Sequence, residues 1–138
     1  MNQLDFQELA QIRLTEAHAL FTVGHYDGAY YLAGYAIECA VKACIAKPTA
    51  AHDFPPRPDE VRRMYSHNLA DLVKLADLEG SRESAQAADP IFARYWRVVA
   101  DWNEQSRYAR WATRQAADLL EAASQQDHGV LQWVQGFW

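Results

Sequence analysis

Apolar residues recur at helical intervals at the start of the chain. In the first 24 residues they follow one another at spacings of three and four, and Gly24 ends the pattern. Asp5 and Glu8 have the spacing of a capping box, which predicts that a first helix begins at Asp5. The positions predicted to face the core are Phe6, Leu9, Ala10, Ala17, Leu20 and Phe21.

The second segment is almost free of charge. Between Ala29 and Ala46 only Glu38 and Lys42 are charged, and Pro48 forbids a longer helix. About 18 apolar residues could also span a bilayer. A Glu and a Lys near the middle of a lone span are costly, however, so we expect no membrane insertion. The pattern therefore predicts a central helix, capped by Asp27 and buried on all sides.

The rest of the chain predicts further helices and one extended loop. Four of the five prolines lie between Pro48 and Pro58, which indicates a surface loop. No alternation of apolar and polar residues predicts a strand. We expect a single domain over residues 1–138, folded as an all-α up-and-down bundle of four to five main helices, with an aromatic tail at 129–138. The later helices are predicted at 59–65, at 67–80 with Gly80 as the end, at 90–101 and at 110–126.

Composition narrows the classes of function. The chain has 138 residues, 50% of them hydrophobic, and a net charge of -5, which argues against an unspecific nucleic-acid coat. Its two cysteines form no Cys-x-x-Cys, and no signal segment is evident, so we expect a reduced, cytoplasmic protein. The five histidines show no ligand spacing, so we expect no metal and no cofactor.

Basic charge is concentrated in one window. Residues 94–114 hold five arginines against two acids, interleaved with aromatic residues, a composition typical of proteins that bind single-stranded nucleic acid. Alternatively, Trp96, Trp102 and Trp111 anchor a core or a dimer interface. The aromatic tail is expected to be covered by a second subunit or another partner. The predicted nucleic-acid contacts are Arg94, Arg97, Arg107, Tyr108, Arg110 and Arg114.

Three further residues carry candidate chemistry. Glu38 and Lys42 are one helical turn apart, so we expect a structural ion pair, or alternatively a polar pocket in which Glu38 meets an arginine. His67 either has a structural role, in which it caps the next helix or packs under the proline loop, or it transfers protons. In the second case it would deprotonate a ribose hydroxyl while Arg62 or Arg107 neutralises the phosphate.

The same stretches resemble a known family. Residues 30–46, YYLAGYAIECAVKACIA, are similar to the signature helix of HEPN domains. The run His67, Asn68 and Leu69 resembles the step that opens the third helix of that family, and Arg107–Tyr108 resembles the pair before its last long helix. The resemblance implies a helical bundle that dimerises.

The resemblance also implies a link to RNA. Many HEPN domains are metal-independent ribonucleases in toxin or phage-defence systems, and others are accessory modules beside a nucleotidyltransferase. The ribonucleases carry an Arg, four to six residues, and then a His at the start of a late helix. No histidine follows Arg107 at that spacing. The spacing occurs elsewhere, from Arg13 to His18 and from Arg62 to His67.

These observations leave three hypotheses. The first is a homodimeric module that binds RNA or a nucleotide, as an accessory or toxin–antitoxin or antiviral-defence component with an antitoxin or nucleotidyltransferase as partner. The second is a ribonuclease toxin that uses Arg62, His67 and Arg107. The third is a protein-interaction scaffold that binds through its aromatic tail.

Overall fold

A computed structural model describes residues 1–46 and 58–138, and these residues form helices and no strands. The all-α bundle predicted from the sequence is confirmed. Of the predicted proline-rich loop, only Pro58 is among the described residues. The helices are α1 (Gln3–Thr22), α2 (Tyr26–Ala46), α3 (Pro58–Met64), α4 (Leu69–Leu75), α5 (Glu79–Ala88), α6 (Pro90–Ala100), α7 (Thr113–Ser124) and α8 (Val130–Gln135), with a 3₁₀ helix (Glu104–Tyr108) between α6 and α7.

The caps of the first two helices differ from the prediction. Asn2 caps α1, and Asp5 completes the capping box as the third helical residue, because the side chain of each accepts from the other's backbone N–H. Asp27 lies inside α2 rather than before it. Its carboxylate instead accepts from the backbone N–H of Trp111 at 2.6 Å, which ties the start of α2 to the chain before α7.

The central position of α2 is confirmed. Thirteen of its 21 residues are buried, and it contacts α1, α4, α7, α8 and the 3₁₀ helix. Gly34 lets the indole of Trp102 lie directly on the helix backbone, since a Cβ at this position would lie 2.3 Å from the ring. Within residues 1–46 and 58–138, no helix is long and apolar enough to cross a membrane.

The predicted helix at 67–80 is in fact two helices. Asn68 caps α4 by accepting from the backbone N–H of Asp71, and the helix ends at Leu75. Asp77 then adopts a left-handed backbone conformation with φ of 60°, which a helix cannot contain. Gly80, predicted as the end of a helix, lies in the first turn of α5.

The later elements follow the predicted order. Asp89 caps α6, with Pro90 as the first helical residue, whereas α7 begins three residues after the predicted Arg110. The tail forms α8, and Trp138 donates its indole N–H to the carbonyl of Ala40 at 3.2 Å. The chain itself thus supplies much of the cover that was expected from a partner.

Candidate functional site

A buried carboxylate lies on the central helix. Glu38 is 1% exposed, and its Oε1 accepts from Nζ of Lys42 at 2.8 Å. Nδ1 of His67 lies 2.9 Å from Oε1 and 3.1 Å from Oε2 of the same carboxylate. A buried carboxylate needs such partners, because an uncompensated charge in the interior costs several kcal/mol. The structural pair expected for Glu38 and Lys42 is present, with His67 as a third member.

The position of His67 determines which of its nitrogens is free. It precedes Asn68, so it does not cap α4 itself, and its side chain is 46% exposed. Because the carboxylate of Glu38 is an acceptor, Nδ1 of His67 is assigned as the donor. A neutral imidazole then carries an unprotonated Nε2. This arrangement is that of a base held by an orienting acid.

The two arginines predicted to act with His67 are not joined to it. Arg62 lies in the last turn of α3, and in the described part of the chain no hydrogen bond joins its side chain to His67. Arg107 lies on the 3₁₀ helix, where Tyr108 and, to a smaller extent, Tyr31 raise its pKa. Tyr31 precedes Glu38 by seven residues on α2, which is about 10 Å along the helix axis. The carboxylate of Glu38 therefore pairs with a lysine and a histidine, not with an arginine.

Four residues of α2 form a continuous polar and aromatic line. Tyr31, Tyr35, Glu38 and Lys42 follow each other at intervals of four, three and four, so they share one face of the helix. The two tyrosine rings stack with their centroids 6.0 Å apart and 13° between their planes. Burial raises the pKa of Tyr35, which keeps its hydroxyl protonated. We call these four residues the α2 strip.

Arg107 and Tyr108 flank the first end of the α2 strip. The guanidinium of Arg107 lies 4.8 Å from the ring centroid of Tyr108, and Tyr108 is 74% exposed. Tyr108 raises the pKa of Arg107, which stays positively charged. The positive charge of Arg107 and the exposed ring of Tyr108 thus lie next to each other at this end of the strip.

The other predicted arginines are divided among different elements. Arg94 and Arg97 lie on α6, where the guanidinium of Arg94 is 5.7 Å from the ring of Tyr95. Arg110 lines an open groove of about 360 Å³ beside the start of α2. Arg114 lies in the first turn of α7, 4.0 Å from Asp118. The basic window of the sequence therefore does not form one surface element.

The tryptophans of the same window belong to the core. Trp96 is 5% and Trp102 is 2% exposed. Trp111 stacks on Tyr30 at 3.7 Å and donates its indole N–H to the carbonyl of Ser106. Among the aromatic side chains of this window, Tyr108 is the one that is mostly exposed, at 74%. Tyr31 and Tyr35 were not predicted as site residues, although their spacing to Glu38 places them on the same face of α2.

A second histidine–carboxylate pair lies in another part of the molecule. Nδ1 of His128 is 2.6 Å from Oδ2 of Asp89, and this contact lowers the pKa of Asp89. The other oxygen of Asp89 accepts from the first backbone N–H groups of α6. The pair borders an open groove of about 360 Å³ that also contains the carboxylate of Asp127.

The described residues offer no site for a metal ion. In residues 1–46 and 58–138, no group of three His, Cys, Asp or Glu side chains is placed to hold one. Both cysteines are buried thiols, and burial raises the pKa of Cys39 to about 11.

Comparison with known proteins identifies the family. The family model of the HEPN domain matches residues 5–128, which is most of the chain. The chain belongs to the HEPN domain family. No curated protein and no solved structure matches this HEPN domain. The positions five to seven residues after Arg107 are Ala112, Thr113 and Arg114, so the spacing of the ribonuclease motif described above meets no histidine at the start of α7.

Proposed function

We propose that this HEPN domain binds single-stranded RNA, or a single nucleotide as its smallest unit, along the α2 strip. The observation that carries the proposal is the arrangement of Arg107 and Tyr108 at one end of the stacked Tyr31 and Tyr35. Guanidinium groups bind phosphates in a forked geometry, and aromatic rings stack on bases. Membership of the HEPN family supports a ligand of this class.

The dimensions of the α2 strip suit a short strand. From Tyr31 to Lys42 the helix advances by 11 residues, or about 16 Å. At ~3.4 Å for each stacked nucleotide, this length accommodates about five nucleotides. The carboxylate of the strip is already paired with Lys42, so it does not oppose a phosphate chain as a free charge would. The strip is thus neutral, and Arg107 beside it adds one positive charge, within a protein whose net charge is -5.

Fluorescence anisotropy with labelled single-stranded RNA tests the proposal. Arg107→Gln should weaken binding about tenfold if one phosphate contact of roughly 1.4 kcal/mol is lost. Tyr108→Ala should weaken it by about 5- to 100-fold, since a base–aromatic stack is worth ~1–3 kcal/mol. Lys74→Gln is the matched control, because it removes one positive charge from a 52% exposed side chain on α4.

Two results would contradict RNA binding. The first is no affinity at low salt, and the second is an affinity that salt does not change, since contacts to phosphates release counterions. Single substitutions of Arg94, Arg97, Arg110 and Arg114 in the same assay rank the other contacts predicted from the sequence.

We further propose that the domain acts as a homodimer. Exposed apolar side chains support this assembly, notably Leu4 at 70% and Ile12 at 42% on α1 and Val23 at 67% directly after it. Light scattering should give a mass of two 15.7 kDa chains, and a monomer at micromolar concentration would contradict the proposal. The role in a toxin–antitoxin or defence system is part of the same proposal. A gene for an antitoxin or a nucleotidyltransferase beside the gene for this chain would support it.

The scaffold hypothesis has less support than RNA binding. Its motivation was an aromatic tail that needs a partner. The rings of Trp133 and Phe137 lie 5.4 Å apart, and Trp133 also packs on Phe92 and Trp96 within the same chain.

A further inference from the structure

We propose that a groove beside α3 holds one unpaired purine base at the end of the strand bound on the α2 strip. This inference rests on the RNA binding proposed above and adds a subsite that selects the terminal base. Phe6 of α1, Ile45 of α2, and Val61 and Met64 of α3 line the groove, whose volume is about 330 Å³. We call it the α3 groove.

The first argument is the size and the lining of the α3 groove. Six of the eight residues that line it are apolar, and the other two are Lys42 and Tyr65. Pockets for drug-sized ligands have volumes of about 300–1,000 Å³, so this groove suits a single ring system rather than a larger molecule. Its apolar lining offers a base a contact surface but few hydrogen-bonding partners for the base edge. Such a site distinguishes bases by the size of their rings.

The second argument is the charge around the α3 groove. Among the described residues that line it, Lys42 is the one cationic side chain, and there is no carboxylate. Arg62 and Arg63 lie between two residues of the groove, in the last turn of α3, and both are exposed. By contrast, the described lining of the groove beside α8 contains the carboxylates of Asp89 and Asp127 and no lysine or arginine. A ring that is joined to a phosphate is therefore attracted to the α3 groove and repelled by the other one.

The third argument is the position of the α3 groove relative to the α2 strip. Lys42 belongs to both, because it ends the strip and also lines the groove. Ile45 follows it by three residues, which is about 4.5 Å along the axis of α2. The strip accommodates about five nucleotides at ~3.4 Å each, so the base of the next nucleotide would lie at the groove.

The fourth argument is the exposure of Tyr65, which lies directly after α3 at the edge of the groove. Its side chain is 76% exposed, and Tyr108 at the other end of the strip is 74% exposed. No other aromatic side chain in residues 1–46 and 58–138 is as exposed. Stacking of bases on aromatic rings is a main source of affinity for single strands. A purine covers more of the groove and of the Tyr65 ring than a pyrimidine does, because it has two fused rings.

The experiment measures the coupling between Tyr65 and the terminal base. Fluorescence anisotropy of the full chain is recorded with an intact six-nucleotide RNA that has a purine at each end, and with two strands that lack the base of the first or of the last nucleotide. Tyr65→Ala should weaken binding of the intact strand by about 5- to 100-fold, the range for loss of one base–aromatic stack. It should not weaken binding of the strand that lacks the base of the groove.

Tyr108→Ala is the matched control, because it removes a ring of similar exposure at the opposite end of the strip. We expect Tyr65→Ala to couple to one end of the strand and Tyr108→Ala to couple to the other. A pyrimidine in place of the purine at the groove end should lower the affinity, whereas exchange of adenine and guanine there should have little effect. Both side chains are mostly exposed, so the variants should fold, which circular dichroism checks.

The methionines report on the groove directly. The chain has two, Met1 and Met64, and both line the α3 groove. In nuclear magnetic resonance spectra of the chain isotope-labelled at its methionine methyl groups, the intact strand should shift the Met64 signal upfield, because a methyl group over the face of an aromatic ring is shielded. The strand that lacks the base of the groove should not shift it. Met64→Leu assigns the two signals.

The outcomes distinguish the two proposals. An equal effect of Tyr65→Ala on all three strands, coupling of both tyrosines to the same end, or a methionine signal that the bound intact strand does not move overturns the α3 groove and leaves RNA binding on the strip standing. Failure of the intact strand to bind at low salt overturns the proposed function itself, and the groove proposal with it.

Discussion

At Gly34 the close packing of the core predicts a specific loss of stability on substitution. In an isolated helix, Gly34→Ala would stabilise by about 1 kcal/mol, because glycine is the poorer helix former. In this bundle the new Cβ would lie 2.3 Å from three atoms of the Trp102 indole, whereas carbon atoms normally approach to ~3.5–4.0 Å. The two effects have opposite signs, so the experiment decides between them.

We expect the cost of overpacking to exceed the gain in helix propensity. Either the indole or the helix backbone must move by more than an ångström, and such overpacking of a core costs about 1–3 kcal/mol. If the ring moves out and returns some 50 Å² to water, about 1 kcal/mol more is lost at ~25 cal/mol per Å². After subtraction of the helix-propensity gain, we expect a net loss of about 2 kcal/mol.

Urea unfolding at 25 °C, followed by circular dichroism, measures this loss. With an m value of about 2 kcal/mol/M, the midpoint of Gly34→Ala should fall by about 1 M. Gly80→Ala is the control, because a Cβ there has no atom within 4 Å, and its midpoint should be unchanged or slightly higher.

The double variant with Trp102→Ala identifies the cause. The three indole atoms nearest to the added Cβ are Cγ, Cδ1 and Cδ2, which a phenylalanine would also carry, so the whole ring must be removed to relieve the clash. The indole N–H of Trp102 makes no hydrogen bond to the described residues, so the truncation loses packing but no such bond. In the Trp102→Ala background Gly34→Ala should become neutral or stabilising. A stabilising effect of Gly34→Ala in the wild-type background, or an equal loss of stability in the Trp102→Ala background, would refute the placement of Trp102 on α2.

Three further predictions concern stability. Burial raises the pKa of the Cys39 thiol from 9.0 to about 11. The protonated thiol therefore contributes fully to stability below pH 9, and the free energy of unfolding should fall by roughly 3 kcal/mol as the pH rises to 11, at ~1.4 kcal/mol per pKa unit. Cys39→Ala should flatten this part of the pH–stability curve. His128 lowers the pKa of Asp89 below 3.8, so the ionised carboxylate stabilises the fold at neutral pH and this contribution is lost as the pH falls below about 4. In urea titrations, His128→Ala should therefore lower stability at neutral pH but not below about pH 4. Trp138→Phe loses the hydrogen bond to the carbonyl of Ala40 and should lower the unfolding free energy by about 1 kcal/mol, whereas no change would show that the tail is not docked.

The sequence predicted the parts of the fold that depend on local chemistry. The near absence of charge between Ala29 and Ala46 predicted the buried central helix, and Asp89 followed by Pro90 predicted the start of α6. It did not predict the end of α4, because the left-handed conformation of Asp77 has no strong signal in its neighbours. Helix propensity alone therefore predicted one helix over α4 and the first turn of α5.

The sequence predicted the charged residues of the candidate site, but not the contact between Glu38 and His67. The spacing of Glu38 and Lys42 predicted their ion pair, and His67 stood out as a candidate base. Its contact with Glu38 joins residues 29 positions apart, which only the packing of α4 on α2 can bring together. The arginines and tryptophans alternate in the sequence, but they do not form one binding surface, because the tryptophan rings pack in the core and the arginines lie on different elements.

Photo-cross-linking of the full chain to RNA that contains 4-thiouridine tests the central claim most directly, since it reports which peptides lie against the bound strand. If RNA lies along α2, cross-links should map to Tyr108 and to the peptide with Tyr31 and Tyr35, and Arg107→Gln should reduce them. Cross-links confined to α6 or to residues 129–138, or unaffected by Arg107→Gln, would contradict the account.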